Sequence, residues 1–493
     1  MSIRRTAVVI GAGPAGISAA GELLRLGRDV SVIEQDPQYV GGLARTVEHC
    51  GFRFDLGAHR FFSKNHDVRI RWSEQLGTDL LDIQRLTRIH FRGKYFYYPL
   101  RFGNVLRQLG TFESARCLLS YAAARTLRKL PETSFEDWVT NRFGRRLFSL
   151  FFRTYTEKVW GMRCDQISAD WAAQRIRGLS FYRAVVESLG LKSSKNVITT
   201  LSDRFSYPRL GSGMMWESAC SSLTRSGVNF HMGQEVVRLR RESGIISSVQ
   251  ALNTAGEFVE HTADDFIASM PLSSLALSID PPLPEAVMRA ARDLKYRGLI
   301  IVALIVDAPH VFPDHWVYIH DPSVHVARIA NFKNWSADMV PDSGKTGLAL
   351  DYFSSEGDAL WSRTDDELLS LARNELEQLG MASSSSIIHG RVIRAPQAYP
   401  VFDEHYKSNV SVIRSALAQL KNLHVVGRNG MHKYNNQDHS MLTGIVAARA
   451  ANGEQVDPWK VNSDASYLEE EQAVDDSARL IPQAARQSSD QAR

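Results

Sequence analysis

A glycine pattern near the start of the chain, Gly11-Ala12-Gly13-Pro14-Ala15-Gly16, limits the available folds more than any other feature. A β-branched run at 6–10 precedes it and an Ala/Leu-rich stretch at 17–26, closed by Gly27, follows. A second apolar run spans 30–33. A GxGxxG turn between a buried strand and a helix opens a βαβ unit, and such units build doubly wound parallel sheets. Gly11 permits the tight turn, Gly13 lets backbone N–H groups approach a pyrophosphate, and Gly16 lets helix and strand pack closely. The helix N-terminus adds partial positive charge. Glu34 ends the second run, where its carboxylate can accept both ribose hydroxyls and would repel a 2′-phosphate. The expected ligand is a dinucleotide.

At 493 residues the chain is too long for one core, so two or three domains are expected. Lys and Arg exceed Asp and Glu by only 58 to 54, a balance that does not point to nucleic acid. The four cysteines, Cys50, Cys117, Cys164 and Cys220, form no CxxC pair and no Cys/His cluster with zinc spacing. No metal site is expected, and a reduced, cytoplasmic protein fits best. Arg4 and Arg5 precede an apolar run, but Gly and Pro interrupt it at once, which argues against a signal peptide. The longest apolar run, 299–306, falls far short of the ~20 residues of a spanning helix.

Residues 101–130 and 135–160 are rich in Arg and Leu and predict helices. Short strands are predicted at 236–240, 245–252, 258–261 and 266–269, then at 298–307 and 348–353. A last strand, 423–426, precedes a small-residue helix at 440–451. The fold class is α/β: a discontinuous Rossmann-like FAD-binding domain (1–65, 213–272 and 390–455), a helical insert (103–195), and a mixed or antiparallel substrate-binding sheet (66–102, 196–212 and 273–389). Residues 461–493, with Tyr467 their one aromatic, predict a disordered tail.

The choice of FAD over NAD rests on the ends of the chain. Gly41-Gly42-Leu43-Ala44-Arg45 follows Glu34 closely and resembles the FAD signature of the glutathione-reductase-like and amine-oxidase-like flavoproteins. Those proteins keep a second cofactor contact near the C-terminus, and 423–427 followed by 440–451 has that strand–loop–helix shape. Residues 264–271 resemble a third strand of the same sheet. The expected cofactor contacts are Gly11, Gly13, Gly16, Glu34, Gly42, Arg45, Val236, Gly427 and Ser440. No second GxGxxG exists, so a nicotinamide reductant, NAD(P)H, would have to reach the flavin through the substrate cleft.

Several further segments resemble, in order, the UDP-galactopyranose mutases, the eukaryotic type more than the bacterial. They are Phe54-Asp-Leu-Gly57-Ala-His59-Arg-Phe-Phe62, Tyr97-Tyr98-Pro99-Leu100, Phe151 through Lys158-Val159-Trp160 with Trp171 and Arg175, and Tyr207-Pro208-Arg209-Leu-Gly211-Ser-Gly213 with Trp216. Trp316, Tyr318 and Arg328 follow, and then Gly427-Arg428-Asn-Gly430, Tyr434 and Asn436-Gln437-Asp438-His439-Ser440. The resemblance covers about residues 7–451, and the closing motif is its most specific part.

The resemblance implies interconversion of pyranose and furanose forms of a UDP-sugar, with N5 of reduced flavin attacking the anomeric carbon as UDP departs. It places Arg175 and Arg328 on the diphosphate, Tyr399 and Tyr434 on phosphate oxygens, Phe151 against the base, and Tyr98, Thr156, Trp160, Trp316 and Tyr318 around the substrate, with His59 beside the flavin. It adds Gly57, His59, Arg428, Gln437, Asp438 and His439 to the cofactor contacts, and it makes His59, Arg175 and Arg328 catalytic. Thr156 stands where related enzymes set an Asn against uridine, and a hydroxyl lacks the two-sided pattern of an amide, which leaves the base open. The competing expectations are a flavin oxidase or desaturase of the amine-oxidase or protoporphyrinogen-oxidase kind, with an apolar or aromatic cage, and a non-catalytic FAD-binding protein with a blocked cleft. Oligomers are compatible with either enzyme.

Overall fold

The computed structural model describes residues 4–98, 100–126, 131–169 and 204–462. Strand Thr6–Ile10 lies at the middle of a five-stranded, all-parallel sheet, ordered 423–425, 265–268, 6–10, 29–34 and 229–232. Ala7 and Val9 enter the core beneath helices Pro14–Arg25 and Gln437–Ala451. Val8 and Ile10 enter the core on the opposite face. A strand covered on both faces has no polar side to show, so its sequence reads as an unbroken apolar run.

The same logic shapes strand Tyr296–Val306. Leu299, Ile301, Ala303 and Ile305 face one core, while Ile300, Val302, Leu304 and Val306 face another, closed by Leu368, Ala372 and Leu376 of helix Asp365–Gln378. This strand sits in a seven-stranded sheet ordered 387–400, 296–306, 346–353, 328–331, 316–319, 87–91 and 94–97. The sheet is antiparallel except where 316–319 runs parallel to 87–91. A third sheet, of four strands, joins 258–261, 245–253, 234–242 and 279–280. The architecture is thus an α/β flavoprotein-type fold, with a helical layer packed on a core of Phe135, Trp138, Phe148 and Phe151.

Several boundaries differ from the expectation. Strand Ile387–Pro400 pairs with 296–306, so the cut at 390 falls inside a strand of the substrate sheet. Helix His66–Leu76 buries Val68, Trp72 and Leu76 in the core of the parallel sheet, and Leu272–Leu277 and Glu285–Asp293 pack on its other face. Contiguity in sequence misassigned these three helices to the substrate sheet. The stretch 101–126 breaks at Gly110 (φ +81°), and 135–160 breaks at Gly144 (φ +82°), where a Cβ would lie 2.6 Å from Ser120 O. The last long helix starts at Gln437 rather than Ser440, because Asn436 and His439 close its N-terminus: the Asn436 N–H donates to His439 Nδ1 at 3.2 Å. Much of the helical insert (170–203) and the tail from 463 onward lie outside the described residues.

Both ends of the folded chain meet at the first helix. A Cβ on Gly16 would lie 1.9 Å from Gly11 O, and one on Gly444 would lie 2.1 Å from Ala15 O. The two helices of this layer therefore approach at backbone contact. Gly444→Ala is expected to destabilise the protein by about 1–3 kcal/mol through overpacking. Gly103→Ala, in a helix with nothing within 4 Å of the added Cβ, is expected to cost nothing. Thermal unfolding of the two variants checks this; equal melting temperatures would refute the close-packing account.

Candidate active site

The head of the parallel sheet forms a cradle lined by glycine. Gly11 has φ +97°, and helix Pro14–Arg25 begins there with Gly13 as cap and no side chain bonded to its first turn. Its leading N–H groups are thus left for an anion. Glu34 accepts from Ala12 N at 2.6 Å and Asp36 N at 3.0 Å. Burial raises its pKa against those two donors. Gly13 and Gly42 face each other: a Cβ on Gly42 would lie 3.4 Å from Gly13 Cα. Arg45 donates to Gly42 O at 3.3 Å, and its Nε is buried without a protein partner. Gly427 (φ +86°) closes the cradle, its N–H bonded to Thr443 Oγ1 at 2.9 Å. An open helix terminus, a buried acid at a strand end, an unused guanidinium nitrogen and glycines where a Cβ would intrude are the donor and space set that a dinucleotide fits.

Beside this cradle the seven-stranded sheet carries a polar row. Arg328 pairs with Tyr318 on one neighbouring strand and with Asp351 on the other. Arg328 Nε donates to Asp351 Oδ2 at 2.5 Å, and Nη2 lies 2.5 Å from the same oxygen without hydrogen-bond alignment. Nη2 of Arg328 and Oδ1 of Asp351 are buried with bonding capacity unused, the mark of a site that a ligand completes. Burial alone would lower the Arg328 pKa; the Asp351 carboxylate reverses this and the net shift is upward, so the guanidinium stays charged. A Cβ on Gly57 would lie 2.9 Å from Arg328 Nη2 and 3.7 Å from His59 Nε2, which places the histidine loop against the arginine.

His59 Nε2 lies 2.9 Å from Leu56 O, an acceptor only. The proton is therefore assigned to Nε2, leaving Nδ1 as an acceptor. Burial, and then the charges of Arg428 and Arg328, push its pKa down to about 3. Arg428 donates to Asn435 O at 2.8 Å and lies over the rings of Tyr399 (5.3 Å) and Tyr434 (5.2 Å), which stack on each other with centroids 6.2 Å apart. Tyr155 meets Tyr318 edge to face at 5.3 Å, and Tyr98 meets Tyr318 at 5.1 Å. Burial raises the phenol pKa of Tyr155 and Tyr399, so both remain neutral donors.

The structure thus brings together Gly57, His59, Tyr98, Tyr318, Arg328, Tyr399, Arg428 and Tyr434. Other expected residues fall elsewhere. Phe151, expected against a base, is only 5% exposed and packs on Phe96 at 5.2 Å and Phe91 at 6.5 Å; it fills the helical core. Trp160 packs on Phe402, while Trp316 packs on Trp335 and still meets Tyr318 edge to face at 6.3 Å, at the border of the assembled row. Thr156 is buried next to Tyr155. Val236 lies on the antiparallel sheet in the same core as Ile33. Gln437 accepts from Trp216 Nε1 at 3.0 Å and donates to Ser212 Oγ at 3.2 Å. Asp438, His439 and Ser440 lie buried in the first turn of its helix. Arg175 lies outside the described residues.

Sequence reasoning missed two members. Asp351 was legible: an acid inside the apolar run 348–353 demands a buried cation. Tyr155 carried no comparable signal, because aromatic residues in a helix are usually core. Asp55 was quoted in the histidine segment without a role. It accepts from Thr46 Oγ1 at 2.6 Å, Tyr207 Oη at 2.7 Å and Ser212 N at 3.0 Å. Burial raises its pKa to about 7. It ties three segments together just before Gly57. Among the described residues no group of three or more His, Cys, Asp or Glu is placed to hold a metal ion.

The sequence pattern of the family described as flavin containing amine oxidoreductase matches residues 14–449. An inactive all-trans-retinol 13,14-reductase of Danio rerio is 52% identical over 50 residues, 10% of this chain and 8% of that protein. A phytoene desaturase of Cercospora nicotianae is 36% identical over 99 residues, 18% of this chain and 15% of that protein. The chain thus spans well under a fifth of either relative. The crystal structure of a reduced UDP-galactopyranose mutase superposes with a TM-score of 0.79 at 22% identity, covering 92% of this chain and 94% of the other.

The neutral His59 has a consequence for stability. Its folded pKa of about 3 lies below the ordinary 6.5, so between those values the unfolded chain binds a proton that the folded chain does not. Its contribution is fully present above pH 6.5 and is lost as pH falls, by at most about 1.4 kcal/mol per pH unit. Urea unfolding of wild type and His59→Gln at falling pH is expected to show a shallower acid-side loss in the variant; parallel curves would show that His59 is not held neutral.

Proposed function

The chain belongs to the flavin-containing amine oxidoreductase family, and from that premise we propose that it is an FAD-dependent nucleotide-sugar mutase, interconverting pyranose and furanose forms of a UDP-sugar, UDP-galactose foremost. The observation that supports this reading is the charged row beside the cradle: Arg328, locked by Asp351 and touching the Gly57–His59 loop, with Arg428 over two tyrosines. An amine or polyene substrate calls for apolar or aromatic walls. A wall of guanidinium and phenol groups suits an anion instead.

Bound FAD in its reduced form supplies the nucleophile for a reaction without net redox change, with reducing equivalents drawn from NAD(P)H or another donor. The protein's own task is to grip the diphosphate and stabilise it as it leaves. Arg328 presents a planar fork whose orientation Asp351 fixes. Arg428 adds permanent charge, and because Asp351 neutralises Arg328, this second cation gives the cleft its net attraction for a diphosphate. The phenols of Tyr155, Tyr399 and their neighbours donate to phosphate oxygens, those of Tyr155 and Tyr399 being kept neutral by burial. His59, neutral and bonded through Nε2, offers Nδ1 as an acceptor beside the reacting centre. Arg175 joins this set by resemblance alone.

The second reading, an oxidase or desaturase, is favoured by the name of the fungal relative. The two part in one experiment. The dithionite-reduced holoprotein, held anaerobically with UDP-galactofuranose, is expected to form the pyranose. If no conversion occurs and only oxidised protein acts, consuming oxygen with an amine or polyene, the mutase reading is overturned. Arg328→Ala is expected to lower kcat by about 10²–10³ with the bound-flavin spectrum intact. Arg328→Lys restores charge without the fork and is expected to recover little of the loss. Loss of flavin from the alanine variant, or full activity, would remove Arg328 from this role.

A further inference from the structure

Twelve large apolar side chains are exposed among the described residues, and five of them fall within 97–119: Tyr97, Leu106, Phe112, Leu118 and Leu119. Phe112 is 77% exposed and Leu119 71%. On helix Thr111–Thr126 the exposed positions 111, 112, 115, 116, 118, 119, 122, 125 and 126 form one continuous arc of about half the helix, while Ser114 and Cys117 turn inward. Phe112 and Leu119, seven residues apart, stand almost in line. The adjoining helix Phe102–Leu109 adds exposed Leu106 and Arg107 across the Gly110 break.

The charge on this surface is one-sided. Arg101, Arg107, Arg116 and Arg125 are exposed, and Glu113 is the one acid between 95 and 126. Glu113 is already engaged by Arg116 and Arg146. Arg116 lies 5.8 Å from the Phe112 ring and Arg101 4.6 Å from the Tyr97 ring, so cations and apolar groups interleave.

We propose that this two-helix face docks on an anionic lipid surface, with Phe112 and Leu119 entering the acyl boundary and the arginines meeting the headgroups. Side chains more than two-thirds exposed project from the protein and do not line a groove, so the face offers no slot for a peptide. A second copy related by a two-fold axis would set these arginines against their own images without free acids to meet them. Insertion of an amphipathic, arginine-bearing face draws on both apolar burial and attraction to anionic headgroups, and long cationic side chains can lie along the apolar layer with their heads in water. Among the described residues no helix is long and apolar enough to cross a membrane, so the contact is a surface one.

The test uses the full-length, FAD-bound protein and co-sedimentation with vesicles of phosphatidylcholine alone or mixed with phosphatidylglycerol. Binding to the mixed vesicles is expected, falling with salt and absent or much weaker on phosphatidylcholine. Phe112→Ser with Leu119→Ser is expected to weaken binding at least about tenfold, and Arg107→Glu with Arg116→Glu to abolish its lipid-charge dependence. Both pairs lie outside the proposed site, so flavin spectrum and melting temperature report that they fold. Failure of the wild type to bind either vesicle, equal binding to both, or undiminished binding by the serine pair would overturn the proposal. So would light scattering that shows a wild-type dimer which the serine pair dissociates.

Discussion

The cradle half of this molecule is arranged around one close approach: helix 437–451 lying against helix 14–25 at backbone contact, over one face of the parallel sheet. Gly444 over Ala15 O makes it possible, while Gly16 over Gly11 O lets helix 14–25 sit tight on its own glycine turn. The approach brings residues more than 400 positions apart into one layer, and it sets Gly427 beside the first helix, where a Cβ would be 3.2 Å from Ala15 Cβ. The cofactor cradle is the space that this junction leaves. If the helices stood farther apart, the strand 423–425 would still pair with 265–268, but the loop following it would no longer close over the glycine turn.

The substrate side is organised by a different force. Arg328 and Asp351 sit opposite each other on adjacent strands, buried against a core of aliphatic and aromatic side chains. An isolated charge there would be prohibitively costly, and a paired one is tolerable only with good geometry. The pair therefore fixes the arginine in orientation more than it stabilises the fold. Its unused Nη2, the neutral His59 against Gly57 and the phenols around it form a polar cluster that a purely structural ion pair would not need.

How much of this was readable in the sequence follows from locality. The βαβ opening, the third strand at 265–268 and the last strand–loop–helix were legible because buried parallel strands and glycine turns write themselves into short segments. The helix breaks at Gly110 and Gly144 were visible as glycines, yet their strength depends on contacts such as Ser120 O that no local pattern reveals. Strand 387–400 was missed because its exposed and half-buried residues carry no clean alternation along 14 residues. Phe151 shows the limit from the other side. A motif resemblance marked it for a ligand, and tertiary packing against Phe91 and Phe96 gave it to the core.

The family relation narrows chemistry less than the site does. Flavoproteins of one fold serve oxidation, desaturation and isomerisation, and the fold alone is silent on which. What differs is the wall opposite the flavin, and here the deciding quantity is charge. Asp351 neutralises Arg328, so under the proposed function the net attraction for an anion comes from Arg428, which is held by Asn435 O and two stacked tyrosines between the cradle and the polar row. FAD itself carries a diphosphate, so a permanent charge at this position serves the cofactor in a desaturase as in a mutase. Under the proposed function the same guanidinium would also face the sugar diphosphate, and it is the added Arg328–Asp351 pair, which the cofactor contacts do not call for, that separates the two readings.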